Sequence, residues 1–168
     1  MIVSLNVGLP SAHSYQGREV ITGGAKEPVP RAVLRFNNFD GDRQADRVNH
    51  GGLEKAVCVY PFDHYPYWDR RLGRDLKPGA FSENLTVIGA IETEVCVGDV
   101  FRIGEALVQV SQPRMPCAKL AGKNRSKMLP KLIANFGYTG FYMRVLSEGM
   151  VAAGDGFDLE RAHPDRIT

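Results

Sequence analysis

No long helix fits into the middle of this chain. Its 18 glycines and 10 prolines are spread along 168 residues and cut it into short segments. Glycine loosens the backbone and proline locks it, so both punctuate regular structure. That spacing favours many short strands joined by turns. Ile2–Val7 reads as the first strand, with Val3, Leu5 and Val7 on one face. Residues 10–30 read as a long Gly- and Pro-rich excursion, and Ala32–Phe36 as a second strand. Ala56–Tyr60 is nearly all apolar, as expected of a strand buried on both faces. Further strands are expected near Asn84–Ile88, Val95–Val97, Val100–Ile103 and Ala106–Ser111, then Phe141–Leu146, Met150–Ala152 and Phe157–Leu159. Gly104-Glu105 has the glycine-first form of a tight hairpin turn.

Two short helices complete the pattern. One spans about Asp63–Leu72, with Phe62, Tyr65, Trp68 and Leu72 spaced by three and four, and Asp63 as its N-cap. The other spans Leu129–Phe136, with Pro130 at its start and Gly137 as its stop. Between residues 84 and 111 no segment has the length of the helices that a doubly wound α/β sheet requires. The expected fold is therefore mainly β, a closed or nearly closed barrel-like sheet with two or more short helices, in one domain over residues 1–168.

Net charge is +2, close to balance, where a dedicated nucleic-acid binder would carry a strong basic excess. No apolar run approaches a bilayer-spanning length, and the N-terminus lacks a basic region followed by an apolar one. The expectation is a cytoplasmic protein with no nucleic-acid or membrane partner. Three cysteines, Cys58, Cys96 and Cys117, give neither a disulfide framework nor a Cys-x-x-Cys pair. Cys58 and Cys96 sit in apolar runs and read as inert core fillers.

Cys117 is different. It follows a strand, in a loop pinned by Pro113 and Pro116, with Arg114 three residues before it and Lys119 two after. A lone cysteine is more often inert, but nearby cations favour the thiolate, the form that acts as a nucleophile or soft metal ligand. The loop around His50-Gly51-Gly52, flanked by Arg47 and Lys55, either brings backbone N–H groups to a phosphate or is a hairpin turn with a solvated histidine. Glu83 and Asn84, at the entry to an apolar strand, either read the edge of a heterocycle or make local turn bonds. Residues 121–126 lack phosphate-loop spacing, no dinucleotide-binding, esterase-elbow or zinc-protease motif occurs, and the four histidines are scattered.

These motifs follow one another in a telling order. Gly41-Asp42, Gln44-Ala45-Asp46, His50-Gly51-Gly52, Tyr60-Pro61, His64-Tyr65 and Tyr67-Trp68 come first. Ser82-Glu83-Asn84-Leu85, the run from Gly98 to Gly104, Ser111-Gln112-Pro113-Arg114, Pro116-Cys117 and Lys119-Leu120 follow. The order resembles the MOSC superfamily (the C-terminal domain of molybdenum-cofactor sulfurases), most closely its YiiM-like group, over nearly the whole chain. The resemblance implies a barrel-like β fold and a bound molybdenum–pterin cofactor, with no pyridoxal phosphate. It makes Cys117 the metal's thiolate ligand and the catalytic residue. His50, Gly51, Gly52, Glu83, Asn84, Arg114 and Lys119 become candidates for the cofactor pocket.

The activity implied is reduction of a small N-hydroxylated compound, N–OH to N–H, with electrons from a separate flavoprotein reductase. YiiM-like proteins often continue into a small C-terminal helical segment, and this sequence stops at Thr168, about where it would begin. Met115, between Arg114 and Pro116, is a further departure, expected to alter the pocket but spare the ligand. Two other readings remain. One is a carrier that delivers sulfur, as a Cys117 persulfide, or the cofactor itself. The other is a β-barrel binding module with an inert Cys117.

Overall fold

The computed structural model describes residues 1–15, 17–46 and 50–168. Arg47, Val48 and Asn49, in the loop before His50, lie outside the described residues. The strands are β1 (Ile2–Val7), β2 (Ser11–Tyr15), β3 (Arg18–Thr22), β4 (Glu27–Val29), β5 (Arg31–Leu34), β6 (Val57–Pro61), β7 (Leu85–Val87), β8 (Val100–Ile103), β9 (Ala106–Pro113), β10 (Phe141–Ser147), β11 (Gly149–Ala152) and β12 (Asp158–Arg161). The helices are α1 (Tyr65–Leu72), α2 (Ala118–Lys123) and α3 (Leu129–Phe136). The mainly β expectation holds.

Eight strands form one sheet in the order β12-β8-β9-β10-β6-β7-β1-β4, and β11–β5 and β2–β3 form two small pairs. Neighbours are antiparallel except β6 and β7, which run parallel. Among the described residues no ladder joins the edge strands β12 and β4, so the sheet is an open one, not a hydrogen-bonded ring. It nevertheless curls. One apolar core takes side chains from strands along most of its length, Ile2, Val59, Leu85, Phe101, Val108 and Met143 among them. Ile2 closes the curl by donating its N–H to Asp155 O (2.9 Å) and accepting from Gly154 N–H (2.9 Å), just beyond β11.

Strand β6 is buried along its whole length, and its alternation explains why. Val57 and Val59 enter the sheet core, while Tyr60 faces a second cluster with Tyr65, Trp68, Phe81, Leu120, Leu129 and Ile133. Successive strand side chains point to opposite faces, so a strand between two apolar layers reads as a continuous apolar run. The second layer is built by the three helices. Trp68 donates its indole N–H to Tyr60 Oη (2.7 Å), and Tyr60 passes its own O–H to Tyr138 O (3.0 Å), so the buried polar ends are satisfied.

Four local expectations change. Residues 95–97 form no strand and lead into a turn closed by Asp99 N–H on Cys96 O (3.0 Å), because the Asp99 carboxylate takes the Cys96 N–H (2.9 Å) and Gly98 adopts φ 93°. The helix expected from Asp63 begins at Tyr65 after a 3-10 turn, and Asp63 accepts from Gly89 N–H (3.2 Å) without acting as its cap. Residues 10–30 contain the β2–β3 hairpin and β4, and residues after Cys117 form α2. Gly104 has φ 53°, as its glycine-first hairpin turn requires. Among the described residues no helix is long and apolar enough to cross a membrane.

Candidate functional site

The site is built where β9 runs out of its ladder. Arg114 N–H donates to Gly140 O (3.0 Å), the last backbone bond before the chain leaves β10. Gly140 is held in turn through its own N–H on Glu92 Oε1 (2.6 Å), and the other oxygen of Glu92 lies 2.7 Å from His64 Nε2. Beyond Pro116, Cys117 is extended (φ −111°, ψ 166°) and caps α2. Its side chain is half-buried. Helix α2 is tied down at its far end. Lys123 donates to Gly24 O (2.7 Å) and Gly79 O (2.5 Å), and Asn124 donates to Ala80 O (2.9 Å). The Cys117 loop is thus fixed at both ends by bonds to other segments.

Cys117 opens onto a cleft that reaches from this loop to the 22–26, 43–46 and 50–58 segments. Its charges are one-sided. Lys26, Arg43, Lys55, Arg114 and Lys119 line it, against Asp46 as the sole lining carboxylate among the described residues. Lys26 is neutralised by the buried carboxylate of Asp42. Arg114 is not. It is buried, and its Nη1 has no hydrogen-bond partner among the described residues. Burial opposes its charge, but Cys58, Tyr142, Glu83 and Cys117 around it more than offset that and hold the guanidinium above its ordinary pKa.

Two residues not expected at the site stand beside Arg114. Cys58 was expected to be inert core; it is buried, yet it lines the cleft. Tyr142 lies directly across the β6–β10 ladder from it, and residues so paired share one face of a sheet. Burial pushes the Cys58 thiol up, with the Arg114 charge pulling the other way. Burial likewise pushes Tyr142 up to about 12, which keeps a neutral hydroxyl in the cleft at neutral pH. The alternation of β6 was the signal for Cys58: with Val57 and Val59 in one core, residue 58 must face the other way. Lys26 and Arg43, in irregular loops, carried no such signal. Gly23 shapes the wall between them, because a Cβ there would sit 2.0 Å from Arg43 O.

Of the residues singled out from the sequence, Cys117, Arg114, Lys119, His50 and Asn84 meet at the cleft. Lys119 makes no hydrogen bond or ion pair among the described residues. His50 is half-buried, with Nδ1 3.4 Å from Asp46 Oδ2. Asn84 holds the wall together. Its amide donates to Asn6 O (3.2 Å) and Asp42 Oδ2 (3.0 Å) and its Oδ1 accepts Cys58 N–H (3.1 Å), so both donors are committed inside the protein. Glu83, Gly51 and Gly52 do not line the cleft. Glu83 is fully buried and accepts from Tyr65 Oη, Gly79 N–H, Thr86 Oγ1 and Phe81 N–H. Gly52 has φ 99° and leads into a 3-10 turn, and a Cβ on it would meet nothing within 4 Å, so it serves the turn. Cys96 is buried elsewhere, as expected.

The anchor of α2 has a pH signature. Burial lowers the Lys123 pKa to about 8, against 10.5 for a free lysine. Between those values the unfolded chain binds more protons at this residue than the folded one, so its contribution to stability rises with pH and is lost as pH falls through about 8. Urea unfolding at pH 7 and pH 10 is expected to show a more positive change in the parent than in Lys123→Met. Parallel changes would mean that the lysine is not desolvated.

With this geometry in place, comparison with known proteins is informative. The MOSC domain family model matches residues 46–158. The uncharacterised protein YflK of Bacillus subtilis is 54% identical over 159 residues, covering 94% of this chain and 72% of its own length. A protein of Gibberella moniliformis named as a reductase is 38% identical over 131 residues, 74% of this chain and 23% of that protein. The crystal structure of YiiM from Geobacillus stearothermophilus superimposes with a TM-score of 0.83 at 40% identity, covering all of this chain and 78% of that one.

Proposed function

The chain belongs to the MOSC domain family, in its YiiM-like group, and from that footing we propose that it is a molybdenum-cofactor-dependent reductase of N-hydroxylated compounds with Cys117 as the metal's thiolate ligand. The observation that carries the reading is the pairing of a half-buried thiol with a buried, partly unpartnered guanidinium in one cation-lined cleft. The residues fit such a group. A buried guanidinium nitrogen without a partner costs free energy that an anionic ligand recovers. A single thiolate suits a soft metal that arrives already held by its own organic ligand. Among the described residues no group of three or more His, Cys, Asp or Glu side chains gathers to hold a bare ion.

When bound, the cofactor supplies two electrons, which with two protons convert N–OH to N–H and water. The protein supplies position and charge. Cys117 would hold the metal and Arg114 would donate to an anionic group of the cofactor, and Lys119 and His50 border the same space. Tyr142 keeps its proton and presents a hydroxyl beside Arg114. Glu83 and Asn84 act from beneath, fixing the 79–86 segment and the wall that carries Cys58. A relative named as a reductase supports the reaction class, and a separate flavoprotein reductase is the electron donor proposed.

The test is an assay of protein purified from a host that makes molybdenum cofactor, given an N-hydroxylated base and a reduced low-potential dye. Conversion to the N–H product is expected, and growth on tungstate in place of molybdate is expected to abolish it. Protein that holds no stable molybdenum and leaves the substrate intact, with persulfide sulfur found on Cys117 by mass, would transfer the reading to a sulfur carrier.

A further inference from the structure

A second groove lies beside the cleft, between the β2–β3 hairpin and α2, and Lys119 borders both. It is an open groove on the surface. The hairpin register explains how it is lined. Tyr15 pairs with Arg18 and His13 with Val20, so these four share one face of the ribbon. Three of them, Tyr15, Arg18 and Val20, face the groove. The opposite side is α2, whose Gly122 lets the Tyr15 ring pack against the helix; a Cβ there would come within 2.7 Å of Tyr15 Cβ. A side chain at 122 would drive the hairpin off the helix and open the groove.

All the charge in this groove is positive. Arg18, Lys119 and Lys127 line it, with no carboxylate among its described lining. None of the three makes a hydrogen bond or ion pair among the described residues. In a chain whose net charge is only +2, three unpaired cations around one concave surface are a local excess. Like charges so placed repel one another, and a polyanion relieves that repulsion. Tyr15 and Val20 supply an apolar wall beside the cations, which suits a sugar or an aromatic ring next to a phosphate. Lys119, shared by both cavities, marks where a ligand passes from one to the other.

We infer that the groove binds the phosphate of a nucleotide whose base reaches the Cys117 cleft, so that the substrates are N-hydroxylated nucleotides in preference to free bases or nucleosides. The inference rests on the reductase reading and specifies its substrate class. Nucleotide phosphate has a second source, a nucleotide carried on the cofactor itself, and the experiment separates the two.

The cofactor-loaded protein is assayed with N6-hydroxyadenosine and with its 5′-monophosphate, in the parent and in Arg18→Gln/Lys127→Gln. The phosphate is expected to lower KM about ten-fold in the parent, an effect of the size that a few unpaired cations exert on a phosphate. The double variant is expected to lose that preference while its kcat and KM for the nucleoside stay within about two-fold. Equal KM for both compounds in the parent overturns the inference. Acid release of one nucleoside monophosphate per molybdenum, with less molybdenum retained by the double variant, also overturns it by giving the groove to the cofactor. Protein that reduces neither compound, yet binds adenosine 5′-monophosphate about ten-fold more tightly than adenosine and loses that margin in the double variant, overturns the reductase reading and leaves the groove assignment standing.

Discussion

Cys117→Ala is expected to strip the protein of molybdenum, from close to one metal per chain to below about a tenth, and to abolish reduction of N-hydroxylated compounds. The argument is one of donor count. Cys117 is the thiol at the cleft mouth, half-buried and reachable, and no cluster of three or more metal-ligating side chains stands in for it among the described residues. Removing the sulfur leaves the cations of the cleft to hold the cofactor's anionic part without a bond to its metal. The fold is expected to survive. The Cys117 side chain makes no capping bond to α2, so its loss should shift stability by no more than about 0.5 kcal/mol, as for an ordinary surface change. Metal analysis alongside thermal unfolding checks both halves. A folded variant that keeps metal and activity would sink the assignment of Cys117 and move attention to Cys58, the second thiol of the cleft.

Glu83→Ala is expected to do the reverse, costing stability first and function only as a consequence. The fully buried Glu83 carboxylate takes two backbone N–H groups and two hydroxyls, from Gly79, Phe81, Tyr65 and Thr86. Alanine leaves those donors buried without acceptors and opens a cavity, a loss of about 4 kcal/mol. For a chain of this length that corresponds to about 10 °C in melting temperature. Glu83→Gln keeps the volume but replaces one acceptor oxygen by an NH2 group, so about half that loss is expected. A calorimetric shift below about 2 °C for the alanine variant would show that the four donors find other partners. Ser82 precedes Glu83 at φ 64° and lines the cleft. The strained turn that shapes this wall is therefore among the structures the carboxylate holds in place.

Both expectations depend on features of unequal legibility. β1, β8 and α3 run over the residues expected from their own apolar spacing and end residues. The β2–β3 hairpin went unread because its half-buried face carries polar residues such as His13 and Thr22 while the apolar Ile21 lies on the exposed face, so burial alternates but hydropathy does not. Residues 95–97 misled for the opposite cause: Val95 and Cys96 are apolar and buried, but they lead into a turn whose backbone is captured by Asp99. Glu83 and Asn84 were candidates either for a cofactor pocket or for local turn bonds. Buried polar groups must be satisfied, and only the tertiary contacts show that the donors around Glu83 and the acceptors around Asn84 come from the protein itself.

Arg114, Cys117 and Lys119 lie within six residues, so sequence alone could assemble a cation-flanked thiol in a proline-pinned loop, and the order of motifs along the chain could place it in its family. The mainly β architecture was equally local in origin, since glycine and proline spacing limits how long an element can run. What sequence could not decide was which distant groups would face that thiol. Cys58 and Tyr142 meet it through a strand register and Lys26 and Arg43 through loops folded across the cleft, while Arg18 and Lys127 are brought to the neighbouring groove by a hairpin docked on α2. Such meetings are set by burial and pairing summed over the whole sheet, a quantity no local window contains. The open edge between β12 and β4 is of the same kind: alternation says which face of a strand is buried, and only the packed core says whether its neighbours close a ring.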